Sequence, residues 1–480
     1  MSAFTIRRES MRVASGRPTG DGRVIEVLNP YSGECVGTVP KASVDDVRAA
    51  LEAAAKYRPT LTRADRAAIL QQAAESVVSR KQEISDLITA ESGLCKQDTL
   101  YEVGRVRDVL LFAAQAALQD DGQIFSCDIT PHGRHRRVFT QRSPLLGVIT
   151  AITPFNHPMN QVAHKVAPAI ATNNRMVLKP SEKVPLSALL FADILYEAGL
   201  PVPMFQVVTG EPAEIADELL TNHYVDLVSF TGGVSVGKYI ASKVGYRRVV
   251  LELGGNDPLI VMDDADLDEA AALAVTGSYK NSGQRCTAVK RILVQNRVAD
   301  EFVDRLVEKT TQWRFGNPTD ETQQMGTVID EAAAKVFQSR VEDAVALGAE
   351  LRCGNQREGA LYAPTVVDHV TSEMSVVRYE TFGPVSPVIR FETVDDAIEI
   401  VNGSAYGLSS GVCTNRLDVI TRLVNELQVG SVNVREVPGY RLELTPFGGI
   451  KDSGLGYKEG VQEAMKSFTN VKTYSLPWPA

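Results

Sequence analysis

From residue 147 the chain alternates short apolar runs with stretches of helical length, and that alternation restricts its fold more than any other feature. "GVITAITP" reads as a strand, "MNQVAHKVAPAIAT" as a helix, "RMVLKPSE" as a strand ending on a charged loop, and "PLSALLFADILYEAGLP" as a helix. "MFQVVTG", "EIADELLTNH", "VDLVSFTGG" and a helix from "SVGKYIASK" continue the series. Strands separated by helices of this length predict a parallel sheet covered on both faces. A second α/β series is expected from "RRVVLELGGNDPLIVMDDADLDEAAALAV" to about residue 455. No linker rich in proline, glycine or serine separates the two, so domains in tight contact with a cleft between them are expected. A length of 480 residues agrees with more than one core.

Upstream, the first hundred residues read mainly as helices. "SVDDVRAALEAAAKY" opens on a serine cap followed by acidic residues, and "RADRAAILQQAAESVVSRKQEISDLITAESG" keeps the 3.6-residue apolar spacing until it closes on glycine. Residues 126 to 150 then switch to short alternating runs that predict strands.

The charge balance narrows the function. A net charge of -9 without long acidic runs argues against nucleic acid as the partner. The one basic cluster, "RHRR" at 134–137, reads as a solvated hairpin turn. Six cysteines with no CxxC pair argue against a zinc site and a disulfide framework, and six scattered histidines with no HExxH argue against a catalytic metal. No stretch approaches the about 18 apolar residues that span a membrane. "MSAFTIRRESMRV" lacks the apolar segment of a signal peptide. A cytoplasmic protein with no membrane partner is expected.

Several segments can carry chemistry. In "NSGQRCTAVKR", Cys286 follows Arg285 in a run of small polar residues. A free cysteine is commonly a small buried hydrophobe. No apolar stripe is present here to bury it, and a neighbouring cation favours the thiolate, so a nucleophile is the alternative. "VSFTGGVSVG" turns a strand through glycines into a helix N-terminus, either as a tight turn or as a seat for a pyrophosphate. It has neither the GxGxxG nor the GK[ST] spacing. Glu252 in "LELGGNDP" is a carboxylate among apolar residues, either salt-bridged or raised towards the range of a general base. Asn156 in "ITPFNHPMN" follows a strand, where a side-chain amide can donate to an oxyanion. Lys179 and Glu182 lie beyond another strand end. Such loops share one crevice in an open parallel sheet.

Taken in order, "TPFN", "KPSE", "FTGGVSVG", "LELGG", "GQRC", "ETFGPV" and "PFGGIKDSGLG" resemble the aldehyde dehydrogenase superfamily from roughly residue 20 to residue 475. The resemblance implies Cys286 as nucleophile, Glu252 as general base and Asn156 as oxyanion donor. It implies a dinucleotide on a Rossmann-like sheet. Ile152, Thr153, Pro154 and Phe155 would lie in one loop, Lys179, Ser181 and Glu182 at the adenosine ribose, and Glu380 and Phe382 near the nicotinamide. Thr231, Gly232, Gly233, Val236, Gly237 and Leu253 would surround the phosphate turn. Gly233 replaces a common serine and Phe155 a common tryptophan, which alters details of cofactor contact. The implied layout is an NAD-binding domain over 1–126 and 147–252, a catalytic domain over 253–458, and an oligomerisation arm from 127–146 and 459–480, in a homodimer or homotetramer. A non-catalytic structural relative is disfavoured because Cys286, Glu252 and Asn156 are all retained.

The substrate expectation rests on cations. Arg105, Arg285 and Arg441, with His157 and Thr287, are expected to line the tunnel and to hold a small anionic aldehyde, since guanidinium matches phosphonate, phosphate or carboxylate, with pairing to a surface carboxylate the alternative for any one of the arginines. His157 should add a contribution that weakens as pH rises above its pKa. Arg435 lies in the same loop as Arg441. Arg107, two residues from Arg105, should point elsewhere. "FNHP", "GQRCTAVKR" and the arginine-bearing loop most resemble the phosphonoacetaldehyde dehydrogenases of phosphonate metabolism, with non-phosphorylating glyceraldehyde-3-phosphate and lactaldehyde dehydrogenases as alternatives. Glu182 would repel a 2′-phosphate, so NAD is expected in preference to NADP.

Overall fold

Val148–Ile152 (VITAI), Met176–Lys179 (MVLK) and Val225–Thr231 (VDLVSFT) carry almost no polar face, the composition of strands covered on both sides. The computed structural model describes residues 6–14, 22–119, 122–456 and 459–479 and assembles these strands into a five-stranded parallel sheet. Its order is Arg248–Glu252, Val225–Thr231, Val148–Ile152, Met176–Lys179, Phe205–Val207. The first of these strands in the chain is central, and the chain proceeds outward on one side before crossing to the other. The reversal beside Val148–Ile152 is the switch point where open α/β sheets form a ligand crevice. Register places Ile152 opposite both Lys179 and Phe230, and Glu252 opposite Thr231, so the loops after all four strands emerge along one edge.

One boundary differs from expectation. Arg248–Glu252, expected to open the second series, pairs with Val225–Thr231 and completes the first sheet. The cause is burial: its Leu251 packs in one core with Val228 and Phe230. The second sheet begins at Pro258–Val261 and has seven strands, all neighbours parallel except the edge pair Glu350–Cys353 and Thr365–Asp368.

The N-terminal region is less helical than expected. Val24–Leu28 and Cys35–Pro40 pair antiparallel, and Arg7–Arg8 adds in parallel. These strands are short enough for the helical periodicity beyond them to mask their alternation. The helix Val44–Lys56 begins on a reciprocal cap, Ser43 accepting from the Asp46 N–H and Asp46 from the Ser43 N–H. The next periodic stretch divides at Arg80 into Arg63–Ser79 and Lys81–Ser92, and ends on Gly93 at φ 72°.

Ile124–Ser126, Arg136–Pro144 and Thr469–Pro477 form a separate antiparallel sheet. It starts before residue 127, and Val461–Ser467 is a helix against Asn160–Ala171 rather than part of this sheet. Within "RHRR", Arg136 and Arg137 are strand residues and not turn residues: Arg136 donates to Ser475 Oγ at 2.9 Å, and Arg137 lies 5.7 Å from the Trp478 ring. Among the described residues no helix is long and apolar enough to cross a membrane, and no His, Cys, Asp or Glu group could hold a metal ion. Residues 1–5 of the N-terminal stretch lie outside the described residues.

Candidate active site

The helix Leu267–Tyr279 and the strand Arg291–Gln295 are joined by the segment that contains Cys286. This segment enters through three successive left-handed residues, Asn281, Ser282 and Gly283 (φ 59°, 54° and 70°). Two of them are not glycine, a conformation that costs roughly 1–2 kcal/mol per residue and must be held by its surroundings. The restraints are visible. Asn281 N donates to Asp98 Oδ2 at 2.8 Å and Asn281 Nδ2 to the Asn156 carbonyl at 2.9 Å. Gln284 Oε1 accepts from Ile329 N at 2.8 Å. Asn156 Nδ2 donates to the Gln284 carbonyl at 2.8 Å. That bond occupies one of the two N–H groups of the amide and orients the other.

Cys286, Glu252 and Asn156 line one cavity of about 420 Å³ between the two sheets. Arg105, His157, Arg285, Thr287 and Arg441 line it as well, with Thr231 and Leu253 from the cofactor set. Glu252 is the last residue of its strand and is buried. Burial pushes the Cys286 thiol up to about 11, opposed first by Lys290 and then by Arg441. The cations that most favour the thiolate are therefore these two, and not the adjacent Arg285.

The arginines differ in their partners. Arg105 is ion-paired with the buried Glu443, which also accepts from His164 Nε2 at 2.5 Å and lies 3.7 Å from Arg441. Burial alone would lift the Glu443 carboxyl, but the His164 ring with Arg105 and Arg441 holds it far below the usual range. Arg285 stands apart. Its Nη2 donates to the Gly277 carbonyl at 2.6 Å, its Nε is buried without a hydrogen-bond partner, and among the described residues no carboxylate forms an ion pair with it. Arg107 is paired outward with Asp108 and Arg435 with Glu269, both away from the cavity. His157 is buried with Nδ1 3.8 Å from Glu102 Oε2, and burial pushes its pKa down. The downward shift moves the expected cationic contribution of His157 to lower pH.

The remaining cofactor residues lie along the sheet edge. Lys179 Nζ is 3.0 Å from Glu182 Oε2; burial works against the Glu182 carboxylate, but the lysine outweighs it and holds it below the usual range. Ser181 is in the same loop. Ile152 ends its strand, followed by Thr153, Pro154 and Phe155; the Phe155 ring meets Phe382 edge-on at 5.9 Å across the cleft. The helix Val234–Lys243, with Val236 and Gly237 in its first turns, starts after Gly232 and Gly233 without a side-chain cap. A Cβ on Gly233 would meet nothing within 4 Å, and Thr153 Oγ1 and Thr231 Oγ1 are buried without partners. An open helix N-terminus with unmet donors beside a switch point fits a dinucleotide pyrophosphate.

Sequence reasoning missed Asp98, Tyr101 and Lys280 in the cavity wall, and Glu443 and Lys290 behind it. Asp98, Tyr101 and Arg105 repeat at three and four residues in a helix, a signal that was available.

The aldehyde dehydrogenase family model matches residues 17–474. The chain is 39% identical over 453 residues to 3-sulfolactaldehyde dehydrogenase from Priestia aryabhattai, covering 94% of each. The structure of NADP-dependent glyceraldehyde-3-phosphate dehydrogenase from Bacillus halodurans C-125 complexed with NADP superposes with a TM-score of 0.94 at 36% identity, covering 98% of this chain and 99% of that one. An NAD-dependent aldehyde dehydrogenase from Sinorhizobium meliloti gives a TM-score of 0.93 at 34% identity, covering 99% and 96%.

Proposed function

This chain belongs to the aldehyde dehydrogenase family, and from that premise we propose that it oxidises a short aldehyde with an anionic tail to the carboxylic acid. It is an NAD(P)-dependent oxidoreductase. The Cys286 thiolate attacks the aldehyde carbonyl, and the oxyanion is held by the second N–H of Asn156 and the backbone N–H of Cys286. Collapse leaves a thioester on Cys286. The nicotinamide, when bound, supplies the hydride acceptor. Glu252 activates the water that hydrolyses the thioester. Lys179 and Glu182 would hold the adenosine ribose, and the Glu182 carboxylate disfavours a 2′-phosphate, so NAD is preferred to NADP. Glu380 and Phe382 would meet the nicotinamide end.

The observation that carries the substrate class is Arg285, a cavity guanidinium that feels the buried Asp98 carboxylate but forms no ion pair with a carboxylate among the described residues. A tetrahedral phosphonate or sulfonate supplies the bidentate partner it lacks. Phosphonoacetaldehyde and 3-sulfolactaldehyde both carry such a tail, and the name of the Priestia relative supports the sulfonate. The shared Glu443 lowers the net positive charge around Arg105 and Arg441, which favours an uncharged hydroxyaldehyde such as lactaldehyde as the second reading. The antiparallel sheet of 124–126, 136–144 and 469–477 would extend a neighbouring subunit in a homodimer or homotetramer. Six free cysteines agree with a reducing cytoplasm.

The test is reduction of NAD⁺ followed by absorbance over phosphonoacetaldehyde, 3-sulfolactaldehyde, glyceraldehyde-3-phosphate, lactaldehyde and propionaldehyde. An acid-tailed aldehyde should exceed propionaldehyde in kcat/KM by about tenfold or more, on the scale of one charge-assisted contact. Cys286→Ala should abolish turnover and retain dinucleotide binding. A tenth of wild-type turnover in that variant would overturn the covalent mechanism.

A further inference from the structure

Three oxygen atoms converge behind the nucleophile. The Gly255 carbonyl, the Cys286 carbonyl and Glu380 Oε1 lie 2.6, 2.7 and 2.9 Å from a single nitrogen, Lys290 Nζ. An ammonium has three N–H donors and no acceptor, so these bonds use its full capacity. Lys290 is buried, at 1% exposure, and is held by its own backbone, whose N–H donates to the Asp257 carbonyl at 3.0 Å just before the strand Arg291–Gln295.

The convergence has to be compensated. A Cβ on Gly255 would lie 2.5 Å from the Cys286 carbonyl oxygen, so only glycine lets the loop after Glu252 press against the main chain of the nucleophile. Two carbonyl dipoles and a carboxylate meeting in a buried space repel one another unless a cation sits between them. Glu380 Oε1 also accepts from Gly255 N at 3.1 Å, which closes the arrangement. Each oxygen belongs to a different working part: the strand end that carries Glu252, the segment that carries Cys286, and the loop that carries Glu380.

We propose that Lys290 is a positioning residue for the reaction, its ammonium fixing Cys286 in register with the Glu252 loop and the Glu380 carboxylate. This rests on the reading of Cys286 as nucleophile and of Glu380 as a cofactor contact. A purely packing role for Lys290 would be filled by any side chain of similar length. The positioning role requires both the charge and the donors. Besides Lys290, Arg441, Asp257 and Glu380 act on Cys286 and the adjacent Arg285 interacts with it electrostatically; of these groups, among the described residues, only Lys290 donates a hydrogen bond to the carbonyl of the cysteine.

The experiment compares wild type with Lys290→Met, which keeps length without charge, and Lys290→Gln, which keeps a donor without charge. Iodoacetamide labelling of Cys286 is followed against pH by peptide mass spectrometry, and KM is measured for NAD⁺. In both variants the labelling midpoint should rise by about one pH unit, the scale for losing an adjacent opposite charge, and KM should rise roughly tenfold as Glu380 loses a charged hydrogen bond. If Lys290→Met does not fold, Lys290→Gln carries the same comparison. A labelling midpoint equal to wild type, or an unchanged KM, overturns the proposal. Failure of the underlying reading looks different: iodoacetamide would then inactivate wild type through a cysteine other than 286, or not at all.

Discussion

Arg105 and Arg441 line the same cavity as Arg285, yet the two kinds of arginine differ in how far the protein answers their charge. The first pair share the buried Glu443, with His164 behind it, so much of their charge is answered within the protein. Arg285 has carbonyl oxygens as partners and no ion-paired carboxylate among the described residues. Three arginines that look equivalent in sequence are thus two kinds of group. One kind shapes the wall; the other has charge left for a ligand.

The sharpest way to break this contrast is Arg285→Leu. On the scale of 1.5–3 kcal/mol for a hydrogen bond to a charged group, kcat/KM for an acid-tailed aldehyde should fall roughly ten- to a hundredfold. Propionaldehyde should lose far less. Steady-state kinetics on both substrates decides it, because an equal loss on both would mean that Arg285 serves the fold and not the tail.

An effect of similar size, on stability rather than on catalysis, is expected from Glu443→Gln, which leaves Arg105 and Arg441 buried without their carboxylate. Breaking one side of such a cluster costs about 3 kcal/mol. The sign with pH follows from the depressed carboxyl. The folded protein keeps Glu443 ionised to well below its ordinary value of 4.5, so its contribution is complete above about pH 4.5 and is lost as pH falls below that. Denaturant midpoints should separate wild type from variant at pH 7 and draw together in strong acid. A constant gap across that range would contradict the pairing. The smallest effect belongs to Arg107→Ala and Arg435→Ala, whose side chains pair outward. Both should keep kcat/KM within about twofold for charged and neutral aldehydes alike, as surface ion pairs contribute little.

Much of this was legible before any coordinates. The strand–helix alternation after residue 147 identified the parallel sheet, because doubly covered strands need continuous apolar runs and their crossovers need helices. The positions of Asn156, Lys179, Thr231 and Glu252 were legible for the same reason: they end strands or follow strand ends and so reach one edge. Val24–Leu28 and Cys35–Pro40 were not read, since five or six residues give too few alternations to stand out beside helices. Glu443 was invisible for another reason. It meets Arg105 across 338 positions, and no local spacing announces such a contact. That one long-range partner changed the reading of two arginines. Lys290, four residues after the nucleophile, was in plain view, but its meaning depends on where three separate oxygens fall.

In the proposed mechanism Cys286 carries the acyl group of an acid-tailed aldehyde and Glu252 governs its release. Glu252→Gln, mixed with NAD⁺ and phosphonoacetaldehyde or 3-sulfolactaldehyde and quenched in acid, is the most direct test by mass spectrometry. The expected result is a slow enzyme with one added acyl group on the peptide containing Cys286, its mass reporting the charged tail. An unmodified Cys286 peptide with steady turnover preserved would contradict it.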